Sequence, residues 1–374
     1  MAGIYIHIPF CKKRCVYCDF FSSTHSEAKD LYVEAVCKEL KIRQPYLQDE
    51  IIETIYFGGG TPSQLNVEDF KKIFQTFSPF TFHLSPAMEI TLEANPDDLT
   101  PAYINAIRDL PFNRISLGVQ SFNDRELAFL NRRHSAKTAI KAIKRLQQSG
   151  FGNISIDLMY GLPGQNEADW QKTLTRAKDL SIQHISAYHL IYEEGTPLYN
   201  SLQKGLIRPV DEEMSVRLFE MLIDELAEAG FEHYEISNFA QPNYRSKHNA
   251  SYWNGTHYLG VGASAHSYNG LSRQWNVASI PKYIESQFLE NIEVIDEKTA
   301  YNEFILMRLR TKEGIDLSEL VSLFGEEKRV YCLRQAQKHI DNYCLELSDN
   351  RLSLTRKGIF ISDGIMSDLL LYKK

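Results

Sequence analysis

Residues 3–18, GIYIHIPFCKKRCVYC, set the reading of the whole chain. GIYIHI is a short β-rich run, and the loop after it carries Cys11, Cys15 and Cys18 in a C-x3-C-x2-C spacing. Three thiolates so spaced can converge on one metal centre. Thiolates suit zinc or an iron–sulfur cluster; structural zinc normally takes four protein ligands, whereas a cubane held by three cysteines leaves one iron open. A Cys3His zinc site using His7 or His25 is the alternative that the same segment allows. A thioredoxin-like use of Cys15-x-x-Cys18 would not require Cys11.

Outward from this segment, β-rich runs recur with helical stretches between them: IIETIYF at 51–57, MEITLEA at 88–94, RISLGVQ at 114–120, NISIDLMYG at 153–161 and HISAYHLI at 184–191. Between the first two, Tyr32, Val36 and Leu40 repeat every fourth residue and form one face of an amphipathic helix. Six such βα units predict a parallel α/β sheet, open or curled into part of a barrel, with reactive groups at the C-terminal ends of the strands. The residues there are polar or glycine: the cysteines, then Gly58-Gly59-Gly60-Thr61-Pro62, Glu93, Gln120 and Asp157. The glycine run is neither a phosphate loop nor a dinucleotide fingerprint, since G-x-x-x-x-G-K-[ST] and G-x-G-x-x-G are both absent. Residues 1–237 are therefore read as the βα domain. Residues 238–297 are an aromatic- and Gly-rich connecting segment of little periodicity, and residues 298–374 a helical module closing on a small hairpin around Asp349-Asn350, winged-helix-like in outline.

The chain has 374 residues, 43% hydrophobic and 24% charged, an ordinary globular composition long enough to bury a core without a metal or disulfide staple. A net charge of −7 argues against a nucleic-acid binder, which draws on a basic face. No run approaches the roughly 18 apolar residues of a membrane span, and the opening lacks a signal-peptide pattern, so no membrane insertion and a cytoplasmic location are expected. Six cysteines are too few for a disulfide framework; Cys37, Cys332 and Cys344 are read as small buried hydrophobes.

Taken together, YIHIPFCKKRCVYC, GGGTP, LEANPD, GVQSFND, LNRRH and IDLMYGLPGQ make the chain similar to the radical S-adenosylmethionine (SAM) enzymes, in the coproporphyrinogen-oxidase-like branch. The resemblance implies a partial (β/α)6 barrel, a 4Fe-4S cluster on Cys11, Cys15 and Cys18, and SAM chelating the open iron. It also implies that Tyr5 and Tyr17 flank the cofactor, that Gly59, Gly60 and Thr61 meet the methionine amino group, and that Glu93 meets SAM's polar groups. Gln120, Arg132 and Asp157 complete that pocket. The chemistry is coherent, because a zwitterionic sulfonium needs carboxylates for its cationic parts and an arginine for its carboxylate.

Two features place the chain within the branch. Coproporphyrinogen III oxidases carry a further cysteine two residues after the third, where this chain has Phe20. His248-Asn249-Ala250-Ser251-Tyr252-Trp253 matches the HNxxYW motif of HemW-type heme chaperones. The resemblance then implies heme binding through His248 on an adaptable exposed loop, delivery to an acceptor protein, and an electron donor for the cluster; a porphyrinogen-decarboxylating radical enzyme is the alternative. His257 and His266 are further candidates in the same stretch. Imidazole is a common heme-iron ligand, and Tyr252 and Trp253 offer flat faces to a porphyrin.

Overall fold

The computed structural model describes residues 1–48, 50–77 and 82–372. Among these, six strands alternate with helices through the first part of the chain: β1 (Ala2–Ile8), α1 (Lys29–Arg43), β2 (Ile51–Gly59), α2 (Val67–Phe74), β3 (His83–Ala94), α3 (Pro101–Arg108) and β4 (Arg114–Gln120). The series continues with α4 (Asp124–Phe129), α5 (Ala136–Gln148), β5 (Ile154–Tyr160), α6 (Glu167–Asp179), β6 (His184–His189), α7 (Pro197–Gln203) and α8 (Glu212–Glu228). Strands β1 to β6 lie side by side in chain order, each pair parallel. A parallel sheet wound in one direction with its helices outside is the partial (β/α)6 barrel expected.

Local signals set the helix starts. Asn66 and Asp69 form a capping box on α2, Ser135 caps α5, and Thr100 precedes Pro101 at the first turn of α3. Period-two alternation sorts the strand side chains. Ile4, Ile6, Ile8, Phe57, Leu92, Leu117, Ile156 and Ile185 join the apolar core with the buried helix residues Tyr32, Val36 and Leu40. The alternate positions, among them Tyr56, Glu93, Ser116, Asp157 and Ser186, line a cavity inside the barrel. Each fully buried aliphatic side chain on the outer face contributes roughly 1.5–3 kcal/mol, which supports a polar interior.

Residues 238–297 are not the irregular segment expected. After β7 (Glu232–Glu235) come β8 (Asn238–Ala240), α9 (Lys247–Trp253), β9 (His257–Val261), β10 (His266–Tyr268), β11 (Ser272–Asn276), α10 (Ile280–Ile284) and β12 (Leu289–Val294). Strand β9 pairs in parallel with β1, and β10 to β12 continue antiparallel from it; β8 and β7 extend the other edge from β6. The segment thus adds strands at both edges of the six-stranded parallel sheet. Its strands are three to six residues long and too short to display a period.

What seats this segment is a buried carboxylate. Glu39 on α1, fully buried, accepts from Arg43 (3.0 Å), Asn276 Nδ2 (2.7 Å), Tyr283 OH (2.6 Å) and the Gly262 amide (2.9 Å). Arg43 in turn donates to the Gly260 carbonyl, Ser267 and Gln274. Farther on, α11 (Glu297–Leu309), β13 (Ile315–Asp316), α12 (Leu317–Phe324), α13 (Glu326–Asp341), β14 (Leu345–Ser348), β15 (Arg351–Leu354), α14 (Arg356–Ile359) and α15 (Ser362–Leu369) surround a second core that begins at Tyr301. Cys332 and Cys344 are buried in it, as small hydrophobes, and Cys37 packs half-buried against the main core. No helix among the described residues is long and apolar enough to cross a membrane.

Removing one partner of a buried, hydrogen-bonded ion pair leaves the other charge uncompensated, at a cost of about 3–5 kcal/mol. Glu39→Ala is expected to lower the unfolding free energy from chemical denaturation by that order, while Glu34→Ala, on the exposed face of α1, stays within about 0.5 kcal/mol. Equal effects of the two would remove Glu39 from this role.

Candidate functional site

The loop after β1 is shaped before any ligand is considered. The Cys11 amide donates to the Ser23 carbonyl (2.9 Å) and the Ser23 amide to that of Pro9 (2.7 Å). Asn131 Nδ2 donates to the Arg14 carbonyl (2.9 Å), and the Leu198 amide to that of Val16 (3.0 Å). Cys11, Cys15 and Cys18, each half-buried, thereby face one cavity of about 430 Å³ at the C-terminal end of the barrel. The Cys11 thiol lies 3.3 Å from Thr61 Oγ1, and Arg132 donates to Cys15 Sγ at 3.3 Å. Burial raises the Cys11 thiol and pushes that of Cys18 up to about 11, and the thiols' mutual proximity acts in the same direction. His7, one candidate fourth zinc ligand, has both ring nitrogens engaged, with Tyr5 OH (3.1 Å) and the Phe21 carbonyl (2.9 Å). Among the described residues no three His, Cys, Asp or Glu side chains already stand close enough together to hold a metal ion. Three soft thiolates on one cavity fit a polynuclear cluster better than a four-ligand zinc ion.

The glycines after β2 serve close approach as well as access. Gly59 has φ 109°, and a Cβ there would lie 2.5 Å from the His7 ring; one on Gly60 would lie 2.8 Å from the Pro9 carbonyl carbon. Across the cavity, Arg132 donates to the Gly118 carbonyl (2.5 Å) and to Asn95 Oδ1, while its Nε is buried without a partner. Gln120 ends β4 in the left-handed region at φ 66°, sparsely populated by residues with side chains and concentrated at functional sites. Glu93 accepts from Tyr56 OH at 2.7 Å. Burial raises the Glu93 carboxyl to about 7, opposed by the Tyr56 hydrogen bond and reinforced by Asp157; burial raises Asp157 to about 6, opposed by Arg114 and Arg132. The donor set is two carboxylates, an arginine with a free buried N–H, an amide and a glycine cradle. It fits a zwitterion bearing a second positive centre.

Tyr17, Gly59, Gly60, Thr61, Glu93, Gln120, Arg132 and Asp157 all line this cavity with the three cysteines. Tyr5 and His248 do not. They lie behind Tyr56, whose ring stacks on His248 (centroids 4.9 Å apart) and on Tyr5 (6.2 Å). Sequence reasoning missed Tyr56, Asn95 and Asn249, which also line the cavity. Tyr56, on β2, and Asn95, just past the end of β3, share the inward face with Glu93, a strand-periodicity signal that could have found them.

The exposed loop expected around His248 is instead the short helix α9, and His248 is buried. Its Nδ1 is hydrogen-bonded to Thr54 Oγ1 (2.8 Å) and its Nε2 to Tyr252 OH (2.9 Å). Burial, helped by the Arg114 guanidinium, lowers its pKa to about 3, so the imidazole is neutral. The helix is drawn inward because the amides of Lys247 and His248 both donate to Glu89 at 3.1 Å. Trp253, at its other end, lies 4.8 Å from the Arg310 guanidinium, and Arg308 donates to the Trp253 carbonyl at 2.7 Å. His257 is hydrogen-bonded to Glu50 at 2.6 Å, while His266 is exposed and stacks on Trp275 at 5.9 Å.

Comparison with known proteins bears on this geometry. The radical SAM superfamily profile matches residues 5–177, and that of the HemN C-terminal domain residues 295–361. The chain is 36% identical to the heme chaperone HemW of Bacillus subtilis, over 99% of each chain. It is 33% identical to that of Lactococcus lactis, over 98% of this chain and 97% of the relative. A mitochondrial radical S-adenosyl methionine domain-containing protein 1 from Danio rerio is 31% identical over 99% of this chain and 87% of its own. In structure, the coproporphyrinogen III oxidase HemN of Escherichia coli superposes with a TM-score of 0.84 over 100% of this chain and 90% of its own, at 21% identity, a likeness of fold.

The raised Glu93 and Asp157 carboxyls have a thermodynamic consequence. Between their unfolded pKa values near 4 and their folded values of about 7 and about 6, the native state binds more protons than the unfolded one. Stability therefore falls as pH rises through that window. Glu93→Gln is expected to flatten the decline between roughly pH 4.5 and 7, measured by urea denaturation across pH. An unchanged slope would contradict the buried, proton-holding carboxyl.

Proposed function

We propose a heme-carrying role for this chain, which belongs to the radical SAM superfamily and to the family of the HemW heme chaperones. In this reading it binds heme and hands it to an acceptor protein in the cytoplasm. It holds a 4Fe-4S cluster on Cys11, Cys15 and Cys18, with SAM on the open iron and an electron donor serving the cluster. The observation that carries the reading is the joining, in one chain, of a three-thiol cavity with the His248–Trp253 helix directly behind that cavity's wall.

The cofactors, when bound, supply one-electron chemistry, and the chain's own residues position and shield them. Gly59, Gly60 and Thr61 would meet the amino group of SAM, Glu93 and Asp157 its cationic parts, and Arg132 and Gln120 its remaining polar groups. Tyr17 closes the wall beside Cys15 and Cys18; Tyr5 backs Tyr56 from outside the cavity. Phe20, 64% exposed at the rim, stands where the oxidases carry a cysteine, which favours carriage over porphyrinogen decarboxylation.

For heme, His248 is the proposed ligand. A neutral imidazole is the ligating form, but both of its nitrogens are already satisfied, so uptake requires α9 to shift and at least one hydrogen bond to open. That requirement suits a carrier. A ligand whose binding breaks internal contacts is returned readily, because the protein recovers those contacts on release.

Two measurements test this reading. Anaerobic reconstitution is expected to yield an iron–sulfur cluster that single Ala substitutions at Cys11, Cys15 or Cys18 abolish and those at Cys37, Cys332 or Cys344 leave intact; zinc uptake without iron would overturn it. Heme titration followed in the Soret band is expected to show weakened retention in His248→Ala with the cluster unaffected. Tyr252→Phe, which removes a hydrogen bond worth about 1 kcal/mol, should raise heme affinity roughly fivefold. Unchanged binding in His248→Ala but loss in His266→Ala would move the ligand to the exposed imidazole.

A further inference from the structure

The loops that make up the cavity meet behind it on one side chain. Asp98 follows the sequence Leu92-Glu-Ala-Asn-Pro-Asp97, in the turn between β3 and α3, and its carboxylate is 2% exposed. Its Oδ1 accepts from Lys12 Nζ (2.8 Å) and Arg133 (3.2 Å), and its Oδ2 from Ser63 Oγ (2.8 Å) and Gln64 Nε2 (2.5 Å). A carboxylate offers about four lone-pair sites, so this one is filled.

The four donors come from three different loops. Lys12 adjoins Cys11, Ser63 and Gln64 follow Thr61, and Arg133 adjoins Arg132, which holds Cys15. Asp98 itself does not line the cavity. Nearer the cavity, Asn95 repeats the pattern: its Nδ2 donates to Thr61 Oγ1 (3.2 Å), its Oδ1 accepts from Arg132, and its amide donates to Ser63 Oγ (3.2 Å).

We infer that Asp98 is a positioning residue that holds the cysteine loop, the glycine loop and the Arg132 loop in mutual register for cofactor binding. The inference rests on the cluster-and-SAM reading of the cavity but concerns a residue that touches neither. Two of the four donors are cations, and charge-assisted hydrogen bonds are the stronger kind. Asparagine in the same place presents an NH2 group to neighbours that are all donors, so at least two tethers are lost without a change of volume. Glutamate keeps the charge and lengthens the arm by one methylene.

The test uses full-length protein in two forms. In reconstituted protein, SAM affinity is read from the spectral response of the reduced cluster, beside iron content. In apoprotein, the rate of tryptic cleavage after Lys12, Lys13 and Arg14 reports how firmly the cysteine loop is held. Asp98→Asn is expected to keep its iron, to bind SAM roughly tenfold more weakly, as fits the loss of a charge-assisted tether, and to be cut faster. Asp98→Glu is expected to recover part of both. Wild-type SAM affinity and cleavage rate in Asp98→Asn would overturn the inference. Equal losses in Asn and Glu variants that track a common fall in melting temperature would overturn it too, by showing general destabilisation. If the wild-type protein itself bound no SAM, the cofactor reading would fail, and the cleavage rates of the apoprotein would still decide whether Asp98 holds the loop.

Discussion

A buried guanidinium governs the inside of this barrel. Arg114, at the start of β4, is 1% exposed, and its nearest anionic partner is Glu89, 4.0 Å away on β3. An uncompensated buried charge is costly, so the neighbouring positions that face inward are those that can answer it. Its field opposes the burial-driven rise of Glu93 and Asp157, and it adds to the burial that keeps His184 and His248 neutral. Glu89, facing it, also receives the amides that start α9. One charge at the centre thus links the acids of the cavity to the helix behind its wall.

That helix joins the barrel to the C-terminal module. His248 reaches inward to Thr54 and Tyr252, and Trp253 outward to Arg308 and Arg310 on and just after α11. His248 and the Trp253 carbonyl are thus employed as structure, while Trp253 Nε1 is buried without a partner. The proposed use of His248 as a heme ligand therefore competes with its use as a joint. A permanently free imidazole would bind without any such competition.

The six parallel strands were legible in the sequence because they recur as β-rich runs with helical stretches between them. The cysteines and strand-end polar residues were legible because a parallel sheet leaves only one end for a site. That rule accounts for the glycines, Glu93, Gln120 and Asp157, whereas Tyr17 and Arg132 were named only through the family resemblance; eight of the ten residues proposed for SAM and for the heme ligand His248 line the cavity. The two exceptions, Tyr5 and His248, belong to positions whose surroundings come from far along the chain.

What the chain determined by itself was therefore what local pattern carries: six βα units in a parallel sheet, polar residues and glycines at the strand C-terminal ends, and the thiol loop. Only the tertiary structure decided the rest. Thr54 and His248 are 194 residues apart, Lys12 and Asp98 are 86 apart, and Glu39 and Asn276 are 237 apart. Each of these contacts joins a polar group to a partner that no periodicity anticipates, and each exists because a buried hydrogen-bonding group is costly to leave unsatisfied. Hydrophobic period fixes which face turns inward; the pairing of polar groups on that face is settled only when the barrel brings distant strands together.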